Sequence, residues 1–140
     1  MATVFSRIIA GELPGLFVWK DDKCVAFLSN RPLRPGHTLV VPRLEVDHWI
    51  DLDTNLLAHL VVTAQAIGKA QMAGFKPARI GLMLAGLEVP HAHFHVVPIR
   101  GLHDLDFGNQ DPNPDPSMMA RAAETIRAEL RRLGFAEVAG

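Results

Sequence analysis

The sequence predicts an α+β fold built on a five-stranded antiparallel sheet. Short β-rich runs come in neighbouring groups, three before a long helical pattern and two after it, whereas a parallel sheet would alternate strands with helices. The chain has 140 residues and is 49% hydrophobic, which is enough to bury a core without disulfides. We therefore expect a single domain over residues 1–140.

The first part of the chain predicts one short helix and three strands. Thr3 is a candidate N-cap for the helix. Residues 16–19 and 24–28 are β-rich runs on either side of a polar turn of hairpin length, so we expect them to pair as antiparallel strands. After a proline-rich stretch, residues 37–41 regain β-branched character, which places His37 at the head of the third strand.

The middle of the chain predicts the longest helix and the last two strands. Apolar residues recur at helical spacing over residues 54–74 and would form one broad apolar face that packs across the sheet. Residues 78–84 form the fourth predicted strand and residues 91–97 the fifth.

The last part of the chain predicts a surface loop and a helix. Residues 103–117 are rich in aspartate and proline, a composition that disfavours regular structure. Ser117 is a candidate N-cap for a helix over residues 118–133 that ends at Gly134. The helix carries four arginines that we expect to face solvent, Arg121, Arg127, Arg131 and Arg132.

Three of the seven histidines lie in one five-residue window of the fifth predicted strand. Because side chains alternate along a strand, His91, His93 and His95 would share one face and Ala92 and Phe94 the other. A spacing of roughly 6.6 Å along that face suits convergence on one phosphate, and imidazole can act as nucleophile, proton donor or proton acceptor near neutral pH. Two alternatives stay open at this point, a zinc site made by the His-x-His spacing and a solvent-facing cluster without function.

Composition limits the partners and the compartment that we expect. The formal charge of −1 and the isoelectric point near 6.6 give no electrostatic reason to bind DNA, RNA or an acidic membrane. The N-terminal residues lack the pattern of a signal peptide, and no apolar run has the length of a membrane span. Cys24 is the single cysteine and lies in an apolar run, where we expect a buried thiol in a reducing compartment. We therefore expect a cytoplasmic protein.

The histidine window resembles a known family. His91-Ala-His93-Phe-His95-Val-Val has the form that defines the histidine triad (HIT) superfamily of nucleotide hydrolases and transferases. Residues 5–14 resemble the N-terminal signature of that family, and residues 26–42 resemble its second block. The spacing is more similar to the Hint branch, the purine nucleoside phosphoramidases, than to the larger uridylyltransferases.

The resemblance implies a mechanism and a partner. His93 would attack the α-phosphorus of a nucleotide, and water would then cleave the nucleotidyl-histidine to release a nucleoside monophosphate, so that one hard displacement becomes two easier ones. His91 and His95 would contact phosphate oxygens, with one of them helping to protonate the leaving group, and His37 would support them from the adjoining strand. The ligand would be a small purine nucleotide of the AMP or GMP type, no cofactor or catalytic metal would be needed, and two copies would pair into a homodimer with a continuous sheet.

The resemblance also implies a nucleotide pocket. The bend from Gly86 to Val89 can present backbone N–H groups to an anion, and the residues that match Glu88 and Val89 flank the α-phosphate in the family. The other implied pocket residues are Phe5, Ile8, Leu13, Phe27 and Leu28 around the purine, with Ser29 and Asn30 near the ribose.

Several positions depart from the family pattern. Ser29 stands where relatives carry an aspartate that binds both ribose hydroxyls, and a neutral oxygen is a weaker acceptor than a carboxylate. Gly86-Leu87-Glu88 loses a family amide and places a carboxylate near the expected phosphate. Thr3 and Ser6 stand where zinc-carrying members have cysteines, so we expect no structural zinc there. Two alternatives to a phosphoramidate hydrolase therefore stay open, a dinucleoside polyphosphate hydrolase and a purine-nucleotide-binding protein with little turnover.

Overall fold

A computed structural model describes residues 2–140 and shows one five-stranded antiparallel sheet in the order β1-β2-β3-β5-β4. The sheet and its three α-helices confirm the predicted α+β class. The elements are α1 (Val4–Ile9), β1 (Phe17–Lys20), β2 (Cys24–Leu28), β3 (Thr38–Pro42), α2 (Thr54–Phe75), β4 (Arg79–Met83), β5 (Phe94–Ile99) and α3 (Pro116–Arg132), with short 3-10 helices at Trp49–Asp51, Leu102–Leu105 and Phe107–Asn109.

The sheet buries apolar side chains on both faces. Along β2, Ala26 and Leu28 belong to the core that α2 and α3 cover, whereas Val25 and Phe27 belong to a second, smaller core with Phe5 of α1. This split follows from the alternation of side chains along a strand. It explains why β2 is a continuous apolar run, and it places α1 and the second core beside the end of β5 that carries the histidines.

Local capping explains where the long helix starts and stops. The Asp53 carboxylate accepts hydrogen bonds from the backbone N–H groups of Asn55 and Leu56, which would otherwise have no acceptor at the start of α2. At the other end, Lys76 adopts the left-handed conformation with φ of 51° and its N–H donates to the carbonyl of Met72. Within residues 2–140, no helix has both the length and the hydropathy needed to cross a bilayer.

The histidine strand begins later than the sequence predicted. Pairing with β3 ends at Phe94, and only His95 of the three histidines lies on β5. His91 and His93 lie in an irregular segment, in which the backbone N–H of Ala92 donates to the carbonyl of Val46 at 2.7 Å. The prediction of a single strand over residues 91–97 with its histidines facing outward was wrong, since all three are at most 6% exposed.

The C-terminal predictions also need correction. The segment 103–117 is not free of regular structure, because it contains most of one 3-10 helix, the whole of a second and the first two residues of α3. Asp115 rather than Ser117 caps α3 and accepts from the backbone N–H of Ser117, and Pro116 occupies the first helical position, where a missing N–H costs nothing.

Arg127 does not face solvent as expected. Its side chain is only 15% exposed, and its guanidinium donates to the carbonyl oxygens of Phe17 and Ala139 at 2.7–2.9 Å. This arginine therefore joins α3 to β1 and to the C-terminal residues.

Candidate active site

A cavity of about 500 Å³ lies beside the histidine segment, a size typical of small-molecule sites. Its walls come from α1, from β2 and the residues after it, and from the segment that precedes β5. Ten of the residues predicted from the sequence line it: Phe5, Ile8, Phe27, Leu28, Ser29, Asn30, Glu88, Val89, His93 and His95.

Four predicted site residues lie outside the cavity lining. His37 and His91 are fully buried behind it, Gly86 lines a smaller cavity together with Trp49, and Leu13 lines neither. Sequence reasoning also missed eight lining residues, which are Val4, Pro14, Gly15, Leu16, Arg31, Leu39, Gln110 and Met119.

The protonation state of His93 follows from a backbone contact. Its Nδ1 lies 2.7 Å from the carbonyl oxygen of His91. A carbonyl oxygen only accepts hydrogen bonds, so Nδ1 carries the proton of the neutral ring and Nε2 keeps its lone pair. Phe5 holds the ring edge-on at a centroid distance of 4.8 Å. His93 therefore offers an oriented, unprotonated nitrogen at the cavity.

His95 receives the opposite arrangement through His37. The backbone N–H of Leu33 donates to Nδ1 of His37 at 3.0 Å, so that His37 must carry its proton on Nε2. That Nε2–H donates to Nδ1 of His95 at 2.9 Å, which leaves the proton of His95 on its own Nε2. The cavity is thus lined by one ring with a free lone pair, His93, and one ring with an N–H donor, His95.

Both ring nitrogens of His91 are already engaged. Nε2 donates to the carbonyl oxygen of Pro42 at 2.8 Å, and Nδ1 accepts from the hydroxyl of Thr3 at 2.7 Å. The ring is fully buried, so in this arrangement it has no nitrogen for a phosphate oxygen, unlike the role that the resemblance implies. His91 acts on the cavity through its carbonyl group, which orients His93.

Burial keeps these histidines neutral. Desolvation, with a smaller contribution from the neighbouring histidines, lowers the pKa of His37 to about 3 and that of His95 to about 4. The pKa values of His91 and His93 also lie below the ordinary 6.5, mainly because of burial. A neutral His93 needs no deprotonation before it attacks an electrophile at pH 7.

The histidine window does not have the geometry of a metal site. Its three rings do not place three nitrogens, one from each histidine, within 4.8 Å of one another. Among the His, Cys, Asp and Glu side chains of residues 2–140, only those of Asp21, Cys24 and His59 bring three potential ligand atoms this close together.

At the positions where zinc-carrying relatives have cysteines, hydrogen bonds join α1 to the rest of the chain. The Glu45 carboxylate accepts from the backbone N–H of Thr3 at 2.8 Å and from the Ser6 hydroxyl at 2.7 Å. Those two bonds lower the pKa of Glu45. Together with the contact between Thr3 and His91, they fix the helix that carries Phe5 against the histidine segment.

The fold and the site together define an α+β protein that holds three buried histidines beside a cavity. Comparisons with known proteins identify that class. A family model described as HIT domain matches residues 10–102. A HIT-like protein of Saccharolobus solfataricus is 34% identical over 100 residues, which cover 68% of this chain and 72% of that protein.

Two further proteins extend the comparison. The adenylylsulfatase HINT3 of Arabidopsis thaliana is 29% identical over 100 residues, covering 68% of this chain and 51% of that protein. The crystal structure of a zinc-bound histidine triad family protein from Mycobacterium smegmatis superimposes with a TM-score of 0.82 at 27% identity and covers 95% of this chain and 96% of that one. The chain belongs to the HIT family, whose members are generally nucleotide-binding hydrolases or transferases.

Proposed function

We propose that this protein hydrolyses nucleoside phosphoramidates or related nucleotidyl conjugates at the α-phosphate and releases a nucleoside monophosphate. The observation that carries the proposal is the complementary protonation of two rings at one cavity. His93 has a free Nε2 lone pair, and His95 has an Nε2–H donor, and both states are set by backbone groups. A nucleophile and a proton donor side by side are what displacement at phosphorus requires.

The reaction proceeds in two displacements. In the first, Nε2 of His93 bonds to the α-phosphorus and the bond from phosphorus to the leaving nitrogen breaks, while the Nε2–H of His95 stabilises the developing negative charge by a hydrogen bond and a proton from solvent ends on the leaving amine. In the second, water attacks the same phosphorus, the bond to His93 breaks, the hydroxyl stays on phosphorus and the other proton of that water returns to solvent. One water is consumed overall, and its atoms end on the nucleoside monophosphate and the released amine.

The walls of the cavity support a purine nucleotide as the bound part of the substrate. Phe5, Ile8 and Phe27 supply apolar surface on which a flat base can pack. Ser29 is 5% exposed, and its hydroxyl already accepts from the backbone N–H of Arg31, so it offers the ribose fewer free acceptor sites than a carboxylate would.

The test measures nucleoside monophosphate release in buffer that contains a chelator. The panel holds an adenosine phosphoramidate, a dinucleoside polyphosphate and adenylyl sulfate, the last because a relative is named an adenylylsulfatase. We expect the wild type to release AMP from the phosphoramidate and His93→Asn to lose nearly all activity. His103→Asn is the matched control, since His103 is exposed and lies outside the cavity.

Other outcomes would change the assignment. Preference for the dinucleoside polyphosphate would move the protein to the alternative hydrolase class. Binding of AMP by calorimetry without any product would instead support a nucleotide-binding protein with little turnover. A nucleotide trapped covalently in the wild type and absent from His93→Asn would support the intermediate directly.

We further propose that two copies pair through β4 in the cytoplasm. Among residues 2–140, β4 has a hydrogen-bonded neighbour on one side only, which is β5. Leu82 on β4 is 51% exposed, and an apolar edge strand favours pairing with another strand. Analytical ultracentrifugation should find a dimer for the wild type and a monomer for Leu82→Glu, whereas a monomeric wild type would overturn this proposal.

The proposed cytoplasmic location is supported by Cys24, because a free thiol suits a reducing compartment.

A further inference from the structure

A second cluster of chemically active side chains lies apart from the cavity. Asp21 comes from the turn between β1 and β2, Cys24 is the first residue of β2, and His59 lies on the second turn of α2. We call these three residues the hairpin cluster, and none of them lines the cavity described above. One potential ligand atom from each lies within 4.8 Å of the other two.

The distances within the hairpin cluster are close to those of a metal site. Oδ2 of Asp21 lies 3.5 Å from Sγ of Cys24 and 2.8 Å from Nε2 of His59. In a tetrahedral zinc site, the usual metal–ligand distances place neighbouring ligand atoms about 3.3–3.6 Å apart. The oxygen–sulfur pair already has this spacing, and the oxygen–nitrogen pair would have to open by about 0.5 Å.

Neighbouring groups hold the carboxylate in place. Oδ1 of Asp21 accepts from the backbone N–H groups of Lys23 and Cys24, both at 2.8 Å, and Trp19 donates its indole N–H to Oδ2 at 2.9 Å. Hydrogen bonds of this kind orient metal ligands in proteins. Thr63, one turn after His59, places its hydroxyl oxygen 3.6 Å from Sγ. Three protein ligands leave the fourth position of a tetrahedral site to water.

Burial gives the hairpin cluster a closed side and an open side. Cys24 is fully buried, whereas the side chains of Asp21 and His59 are 12% and 31% exposed, so an ion can enter past the imidazole. Without a bound metal ion, a cysteine side chain ordinarily carries a proton on sulfur near neutral pH. A bound cation must displace that proton.

We propose that Asp21, Cys24 and His59 bind a borderline-soft divalent cation such as Zn²⁺, which fastens the β1–β2 hairpin to α2. Thiolate and imidazole disfavour Ca²⁺ and Mg²⁺, which prefer oxygen ligands. On binding, the Sγ–H bond of Cys24 breaks and its proton goes to solvent, while His59 binds through a lone pair on Nε2. Thiolate and carboxylate together balance the two charges of the ion.

Cobalt(II) is the probe that tests this proposal. Because Cys24 is the only cysteine in the chain, a thiolate-to-cobalt charge-transfer band in the folded protein identifies this sulfur. We expect that band in the wild type, with one Co²⁺ bound, one proton released per ion, and loss of the band when Zn²⁺ is added. Absence of the band at millimolar Co²⁺ would overturn the proposal and leave the hairpin cluster as a set of hydrogen bonds.

Variants separate this site from other histidines. His59→Ala should weaken cobalt affinity at least tenfold. Because His59 is partly exposed, we expect this variant to fold, and circular dichroism checks that it does. His103→Ala is the matched control, because His103 also contacts a carboxylate, that of Asp104 at 3.4 Å, but has no nearby thiol. Equal affinity in His59→Ala and the wild type would contradict the assignment.

The two proposals fail independently. His93→Asn removes the proposed nucleophile and should keep the cobalt band, whereas His59→Ala should keep the rate of nucleotide hydrolysis. Trp19→Phe removes the N–H that orients Asp21 and should weaken cobalt affinity about tenfold while the band persists. A band lost with His93→Asn would place the ion at the cavity and refute the hairpin site.

Discussion

The hydrogen bonds that run from the N–H of Leu33 through His37 to His95, which we call the histidine relay, lead to the sharpest prediction. Two substitutions of His37 each remove a different one of these two bonds. His37 accepts from the backbone N–H of Leu33 through Nδ1 and donates to His95 through Nε2. The amide of His37→Asn can replace the acceptor but is too short to reach His95. The longer amide of His37→Gln can replace the donor but leaves the N–H of Leu33 without its acceptor.

The expected magnitudes follow from the buried hydrogen bonds. His37 is fully buried, and a buried polar group that loses its partner costs about 1–3 kcal/mol. In His37→Asn the proton of His95 is no longer held on Nε2, so kcat/KM should fall by about 5- to 150-fold, the same free energy expressed as a rate. In His37→Gln the donor is kept, and kcat/KM should stay within about fivefold, although the free energy of unfolding falls by about 1–3 kcal/mol.

The assay pairs steady-state hydrolysis of an adenosine phosphoramidate with urea unfolding for the wild type and both variants. The relay predicts that activity and stability separate, because both variants lose one buried hydrogen bond and are destabilised, whereas only His37→Asn is slow. If both variants lose activity to the same degree, or if activity simply follows stability, His37 only fills space and the relay is refuted.

Three further predictions concern stability. Arg127→Met should lower the free energy of unfolding by about 2–4 kcal/mol, because it removes charged donors from two partly buried carbonyls. Arg131→Met, which loses only an exposed ion pair, should cost about 0.5 kcal/mol or less. Gly36→Ala should cost about 2–5 kcal/mol, because φ is +91° and the added Cβ would lie 2.3 Å from the ring of Phe75, whereas Gly86→Ala has φ of +75° but open space and should cost only about 1–2 kcal/mol. The buried histidines bind fewer protons when folded than when unfolded, so stability should fall as pH decreases from about 6.5 towards 4, by up to about 2.7 kcal/mol per pH unit for two such groups. Urea titrations check all three, at one fixed pH for the variants and over a series of pH values for the wild type. A stability that stays constant below pH 6.5, or equal effects within either matched pair of variants, would contradict the packing or protonation described.

Sequence reasoning recovered the elements whose signals are local. The strand at Cys24–Leu28 was predicted with its observed bounds, and α2 was predicted to within a residue at either end, because capping and apolar periodicity lie within the elements themselves. The strand that follows the histidines was predicted to begin too early, because alternation in a sequence does not show whether a neighbouring strand pairs with it. His91 and His93 lie in an irregular segment before Phe94, the first residue of β5 that pairs with β3.

The sequence predicted those parts of the site that belong to one motif. It did not predict the features that depend on distant backbone groups, such as the protonation of the histidines. The family resemblance pointed to most of the cavity lining. No sequence pattern showed that the N–H of Leu33 fixes the protonation of two histidines. The contribution of Gln110 and Met119 to the cavity depends on how the C-terminal segment folds back, which is a tertiary property.

The main-chain partners of the histidines also bear on how this sequence can change. A carbonyl oxygen is present in every residue, so the acceptor role of Pro42 towards His91 places no demand on the side chain at position 42. The hydrogen bond from position 33 needs only an amide hydrogen, which every amino acid except proline supplies, whereas the buried side chain of Leu33 serves packing against Val97 and Ile99. The proton arrangement of the site is therefore set by the path of the backbone, and a substitution that preserves this path also preserves the protonation of His93 and His95.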